Sequence, residues 1–113
     1  MHELGITRNL VAIVSEQAHG QRVRRVWLEI GARSALMPDA VRFCFDVVAQ
    51  GTVLEGAVLD ILEIVPGLQC EDCGSYAPPA ADVLDCAHCG STKLRRRSGD
   101  ELNIKAMEVE SCA

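Results

Sequence analysis

Cys70-Glu71-Asp72-Cys73-Gly74 and Cys86-Ala87-His88-Cys89-Gly90 are two copies of one pattern, with twelve residues between the inner cysteines. Two residues between the cysteines of a pair let both sulfurs reach one ion from a tight turn. The glycine after each second cysteine supplies the backbone angle that such a turn needs. Twelve residues between the pairs are enough for a short hairpin. Four thiolates at about 2.3 Å from a common centre suit tetrahedral Zn²⁺. A filled four-sulfur shell has no open position for Lewis-acid chemistry, so the ion's role is to fold the segment around it. A redox dithiol needs only one CxxC beside a thioredoxin-like pattern, which is absent. Iron stays open on ligand type and geometry, although the segment offers only Tyr76 towards a dry aromatic shell. A Cys3His site using His88 also stays open, with an exposed, unliganded His88 as the simpler reading.

The flanks of this motif have a different character. Residues 70–97 hold few large apolar groups and include Pro78-Pro79-Ala80-Ala81, so the segment cannot build a core and needs a staple. Outside it the patterns are those of an ordinary α+β chain. Glu3 to about Ala18 carries Ile6, Leu10, Ile13, Val14 and Gln17 at helical spacing, ending at Gly20. Val23 to Ile30 alternates as a half-buried strand, with Val26, Leu28 and Ile30 on one face and Arg25, Trp27 and Glu29 on the other. Pro38 suits a first helical position and Asp39 the first turn of a helix running through Val41, Phe45 and Val48. Val58–Val65 and Leu102–Val109 read as strands, the latter with its alternation disturbed near Ala106-Met107, as a bulge would do. The expected architecture is α+β: a three-stranded sheet with two helices, residues 1–66 and 100–113, and an inserted zinc-ribbon-like module, residues 67–99. The Pro66-Gly67 and Ser98-Gly99 junctions read either as hinges or as the ends of a rigidly docked ribbon.

Composition bounds the function. Of 113 residues, 49% are hydrophobic, enough for one packed core. Eleven basic residues against 16 acidic ones give a formal charge of −5, a balance that argues against a grip on nucleic acid. Arg22, Arg24 and Arg25, and Arg95, Arg96 and Arg97, read as solvated faces or anchors for an acidic protein partner. No apolar run approaches the ~20 residues of a membrane span, and no signal peptide precedes the first polar residues. The expectation is a soluble, cytoplasmic chain, where reduced thiols point to metal before disulfide. Cys44 reads as a small core residue of the second helix and Cys112 as incidental to the tail.

The start of the chain, Met1-His2-Glu3, is the second unusual feature. A terminal amine, the His2 backbone nitrogen and an imidazole nitrogen of His2 can chelate one ion in fused rings, and deprotonated backbone nitrogens favour square-planar Ni(II) or Cu(II). A large second residue also disfavours removal of Met1. The residues alone leave open whether this end binds metal or is only the end of the chain. His19 reads as solvent-facing near a helix end, and Asp39 as a helix-start anion.

Joined together, these segments resemble the hydrogenase maturation nickel metallochaperones, the HypA/HybF family. The resemblance rests on Met-His-Glu-Leu at the start, Trp27-Leu28-Glu29-Ile30-Gly31, Arg42-Phe43-Cys44-Phe45, Glu55-Gly56-Ala57, the two CxxCG pairs and Ile104-Lys105-Ala106-Met107-Glu108-Val109-Glu110. It implies that Met1 and His2 bind Ni(II), with Glu3 near the site or contributing its backbone nitrogen. It implies structural zinc on Cys70, Cys73, Cys86 and Cys89. It implies a non-enzymatic carrier that delivers Ni²⁺ as transient cargo, with a partner GTPase, to the large subunit of [NiFe] hydrogenase, and in some organisms serves urease. Gly5 departs from the family, which commonly has serine there, and would loosen the metal-bearing end. The alternatives are a zinc-ribbon module that recruits protein or nucleic acid without handling nickel, and an iron–sulfur electron carrier. An exposed sheet edge and hinge-like junctions are compatible with a homodimer.

Overall fold

The computed structural model describes residues 2–80 and 82–110. Helix α1 (His2–Ala18) is followed by strand β1 (Val23–Gly31), helix α2 (Pro38–Val48) and strand β2 (Val58–Ile64). Three short strands then form β3 (Gly67–Cys70), β4 (Tyr76–Ala77) and β5 (Leu94–Arg97), and β6 (Leu102–Val109) ends the described chain. Two sheets result, ordered β2-β1-β6 and β4-β3-β5. The architecture is the expected α+β one, with a second small sheet built around the cysteines.

Strand β1 is the axis of the larger sheet. It pairs in parallel with β2 and antiparallel with β6. A parallel neighbour requires a crossover, and α2 supplies it. Two bulges lie in the β1–β6 ladder: Arg24 has no partner between Val23↔Val109 and Arg25↔Glu108, and Lys105 has none between Trp27↔Ala106 and Leu28↔Ile104. The disturbed alternation read near Ala106 thus has its origin one residue earlier, at Lys105.

Both helices pack against the sheet and one another around Phe45, Leu28, Ile30, Leu54, Val14 and Val41, all essentially fully buried. Burial of each such side chain contributes about 1.5–3 kcal/mol. In α2, Pro38 occupies the first turn as expected, since its missing N–H is one the helix would leave unpaired anyway. In α1 the buried face is Glu3, Thr7, Leu10, Val11, Val14 and Ala18. That stripe is rotated from the one the apolar residues suggest: Ile13 is 51% exposed. The rotation is possible because Thr7 satisfies its own hydroxyl, donating to the carbonyls of Glu3 and Leu4. Helix α1 ends where His19 and Gly20 turn to positive φ, 50° and 83°.

The small sheet does not hang from free hinges. Gly31 and Arg33 donate their backbone N–H groups to the carbonyls of Glu101 and Gly99, each at 2.7 Å. The Tyr76 hydroxyl donates to the Val65 carbonyl at 2.5 Å. The Glu101 carboxylate accepts the backbone N–H of Ser98 at 3.1 Å and of Gly99 at 2.8 Å. A Cβ on Gly31 would stand 2.0 Å from the Gly99 carbonyl oxygen, so only glycine allows this approach. Replacing Gly31 with alanine is expected to destabilise the protein by about 3 kcal/mol, the upper range for overpacking. At Gly5, by contrast, an added Cβ meets nothing within 4 Å, and alanine there is expected to stabilise the helix by about 0.5 kcal/mol. Urea denaturation of the two metal-loaded variants checks both signs.

Candidate metal centre

Each CxxCG pair folds into the same hydrogen-bonded turn. In the first, the Gly74 N–H donates to the Cys70 carbonyl and the Cys70 N–H to the Ser75 carbonyl, both at 2.9 Å. In the second, Gly90 donates to Cys86 and Cys86 to Ser91, both at 2.8 Å. Gly74 and Gly90 have φ of 78° and 77°, a region that only glycine enters without strain. Ladder β3–β5 holds the first turn, because Cys70 faces Leu94 in the register. The Ser91 hydroxyl donates to the Asp72 carboxylate, tying the second turn to the first.

The two turns bring the four sulfurs together, all within 4.8 Å of one another. Cys70 Sγ lies 3.5 Å from Cys89 Sγ, and Cys73 Sγ lies 3.6 Å from Cys86 Sγ. Sulfurs at about 2.3 Å from the centre of a tetrahedron stand about 3.8 Å apart. The donor set fits a tetrahedral dication: two of the sulfur pairs already stand within a few tenths of an ångström of that edge, and all four sulfurs lie within 4.8 Å of one another. Among the described residues this is the one His/Cys/Asp/Glu group with the arrangement for a metal ion. His88 is exposed and outside it; its contribution is a backbone N–H 3.4 Å from Cys86 Sγ. Cys73 and Cys89 place their N–H groups 3.5 Å from Cys70 Sγ and Cys86 Sγ respectively. Such donors offset negative charge on thiolates. Cys70 and Cys86 are buried while Cys73 and Cys89 are exposed, so one side of the cluster faces solvent.

Without an ion Cys70, Cys73 and Cys89 do not ionise alike. Ser75, through its hydroxyl and its backbone, lowers the Cys73 thiol to about 6. The backbone N–H of Cys73 lowers Cys70. Cys89 is lowered by its hydrogen bond from Ser91, but the neighbouring sulfurs of Cys70 and Cys73 outweigh this and push it up to about 12. A dication removes that conflict by neutralising the charge the thiolates would otherwise share.

At the other end of the chain, His2 is exposed at the start of α1. Glu3 is turned inward: its carboxylate accepts the Met37 backbone N–H at 3.2 Å, at the N-cap of α2. The start of α1 is thereby fastened to the start of α2. Met1 and Cys112 lie outside the described residues. His19 and Asp39 are exposed, and Cys44 is a half-buried free thiol of α2.

One charged group departs from the expectation of a solvated basic run. Arg95 and Arg96 are exposed, but the Arg97 side chain is only 1% exposed. Its Nη2 lies 3.0 Å from the Glu29 carboxylate and its Nε 3.4 Å from that of Glu101, while Nη1 donates to Gln69 Oε1 at 3.4 Å. The carboxylates lie off the N–H directions of Nη2 and Nε, so these are charge pairs more than aligned hydrogen bonds. A glutamate at an outward-facing position of β1 was the available signal for a partner; nothing in the local pattern says which arginine supplies it.

The family model described as "Hydrogenase/urease nickel incorporation, metallochaperone, hypA" matches residues 1–109. This chain belongs to the HypA family of nickel metallochaperones. It is 60% identical over 111 residues to a hydrogenase maturation factor HypA of Trichormus variabilis, covering 97% of this chain and 96% of that one. It is 40% identical over 113 residues to the HypA of Azotobacter vinelandii, covering 97% and 100%. The solution structure of the Ni metallochaperone HypA from Helicobacter pylori superposes with a TM-score of 0.65 at 28% identity, over 95% of this chain and 96% of that one. The HypA-family chain is thus placed in hydrogenase maturation, with a metal-binding cysteine cluster. No helix among its described residues is long and apolar enough to cross a membrane.

Metal uptake by the cluster should displace protons, since any thiol titrating above ambient pH must lose its proton to bind. Affinity is therefore expected to rise with pH, and Cys89, held near 12, carries the largest proton cost. One bound Zn²⁺ should shield four of the six thiols from alkylation, and acidification should release it. Mass spectrometry of alkylated protein and a chromophoric chelator across pH check this; pH-independent affinity contradicts thiolate ligation.

Proposed function

We propose that this chain is a non-enzymatic carrier that binds Ni(II) at its amino-terminal end and hands it on during assembly of [NiFe] hydrogenase. Met1 and His2 supply the ligands, through a terminal amine, the imidazole and backbone nitrogen, and Glu3 contributes its backbone nitrogen. The observation that carries this reading is the division of labour at the start of α1. The imidazole of His2 faces solvent, while the Glu3 carboxylate is drawn inward to Met37. The first amides of a helix have no backbone acceptor within the helix; that of Glu3 is met by its own carboxylate, an exchangeable partner that a metal ion would replace. A planar site there binds an ion firmly yet leaves its axial faces open to the next ligand. That openness is what a cargo ion needs and a structural ion does not.

The cysteine cluster holds zinc in this proposal, as a structural ion. Residues 67–99 form the zinc module, and residues 1–66 and 100–113 form the nickel-binding domain. A nickel-handling GTPase of the maturation system and the large subunit of [NiFe] hydrogenase are the proposed partners, and the cytoplasm the site of action. The family description includes urease nickel incorporation as well as hydrogenase, which extends the proposed recipients to urease.

A second reading, a zinc-ribbon module that binds an acidic partner without handling nickel, draws on the exposed Arg95 and Arg96 of β5. A net charge of −5 weighs against nucleic acid as that partner.

Nickel titration of the zinc-loaded protein beside His2→Ala separates the two readings. Stoichiometric uptake with planar ligand-field absorption is expected, lost in His2→Ala while zinc stays bound. Uptake should weaken on acidification, because the imidazole must be neutral and backbone nitrogen must lose its proton. Equal, weak uptake by both proteins would leave only the binding module.

A further inference from the structure

Arg97 stands at the far end of a strut that begins at a metal ligand. The β3–β5 ladder pairs Cys70 with Leu94, Gln69 with Arg95, Leu68 with Arg96 and Gly67 with Arg97. The backbone N–H of Glu71 adds a bond to the Lys93 carbonyl at 2.9 Å. At the end away from the cysteines, the Arg97 side chain leaves the small sheet and lies against Glu29 of β1, the central strand of the large sheet. Glu29 is itself buried. The cation belongs to one sheet and its anion to the other, with the Arg97 side chain 1% and the Glu29 side chain 11% exposed.

We infer that Arg97 is a positioning residue that couples metal loading of the cysteine cluster to the order of β1. The small sheet has strands of four, two and four residues and buries only Leu68, Cys70 and Cys86 among its apolar groups, far too little to fold without the ion. With the ion bound, the ladder is fixed and Arg97 is delivered to Glu29. With the ion gone, the ladder melts and Glu29 loses its counter-charge inside the protein. Coupling between two sites is reciprocal. If metal binding strengthens the Arg97–Glu29 contact, that contact must strengthen metal binding by the same factor, although neither residue touches the ion.

The inference requires a dication at the cysteines but is independent of nickel binding and delivery. Two measurements test it. The first compares zinc affinity, by chelator competition, in wild type and Glu29→Gln, with Arg95→Ala as a control from the exposed part of β5. Glu29→Gln should weaken zinc binding about tenfold, within the usual span of such couplings, and Arg95→Ala should leave it unchanged. The second follows amide hydrogen exchange in the wild-type protein with and without chelator and needs no substitution. Removing zinc should speed exchange at Gly31 and Arg33, which donate to the junction carbonyls, while Val26, deep in the same strand, stays protected. Wild-type affinity in a folded Glu29→Gln protein, or unchanged exchange at Gly31 and Arg33 on zinc removal, overturns the coupling. If Glu29→Gln does not fold, the wild-type exchange decides alone. Zinc stoichiometry in the same samples reports separately whether the cysteines hold the ion.

Discussion

A segment of nearly thirty residues with almost no core of its own must be held by something other than apolar burial. Here that constraint is met by converging four sulfurs to within 4.8 Å. Everything in the small sheet follows from it. The two turns can repeat one hydrogen-bond pattern because each ends in a glycine at positive φ. The strands can be as short as two residues because an ion at the four sulfurs, and not strand length, would close the loop between them. Cys73 is lowered by Ser75 while Cys89 is raised by its neighbouring sulfurs, the pattern of crowded thiols whose charges a cation among them would offset. In a segment of this kind, metal-binding free energy and folding free energy are one quantity.

In the proposed function the two metal sites obey opposite requirements. A structural ion is best surrounded on all sides by ligands that the fold has already brought together. A cargo ion is best held by a few donors at an edge, where the next ligand can approach. If the start of α1 carries the cargo ion as proposed, the bond from Met37 to Glu3 ties that helix start to the fold while His2 stays exposed. It fixes where α1 starts without covering His2. The family's placement in nickel incorporation is consistent with that economy, since a buried nickel site would have to unfold to release its ion.

Much of this was legible in the residues because the signals are local. The CxxCG spacing declares its turn, Pro38 declares its helix start, and the alternation of β1 declares its buried face. The signals that failed are those decided by tertiary contact. Ile13 is apolar but half exposed, because a self-bonded Thr7 takes a place on the inner face. Arg97 sits in a run of three arginines and resembles its neighbours in every local respect, yet it alone is buried. A strand alternates its side chains, so Arg96 and Arg97 must face opposite ways, but alternation cannot say which of them meets the other sheet.

The glycines at the junctions show the same limit from the other side. Gly67 and Gly99 next to Pro66 and Ser98 look like flexible connections. In the folded protein a Cβ on Gly67 would strike the Ala77 carbonyl at 2.6 Å, and one on Gly99 the Pro66 ring at 2.9 Å. These glycines are there for close approach of backbones, which is a device of rigidity. A buried guanidinium set beside two carboxylates reinforces that conclusion. Such pairs add little net stability, because desolvation cancels most of their attraction. They do penalise any arrangement in which one partner is missing. A hinge between the two sheets would have to expose or orphan Glu29 every time it opened, so the charge pair favours a docked small sheet for as long as its metal-closed ladder holds Arg97 in place.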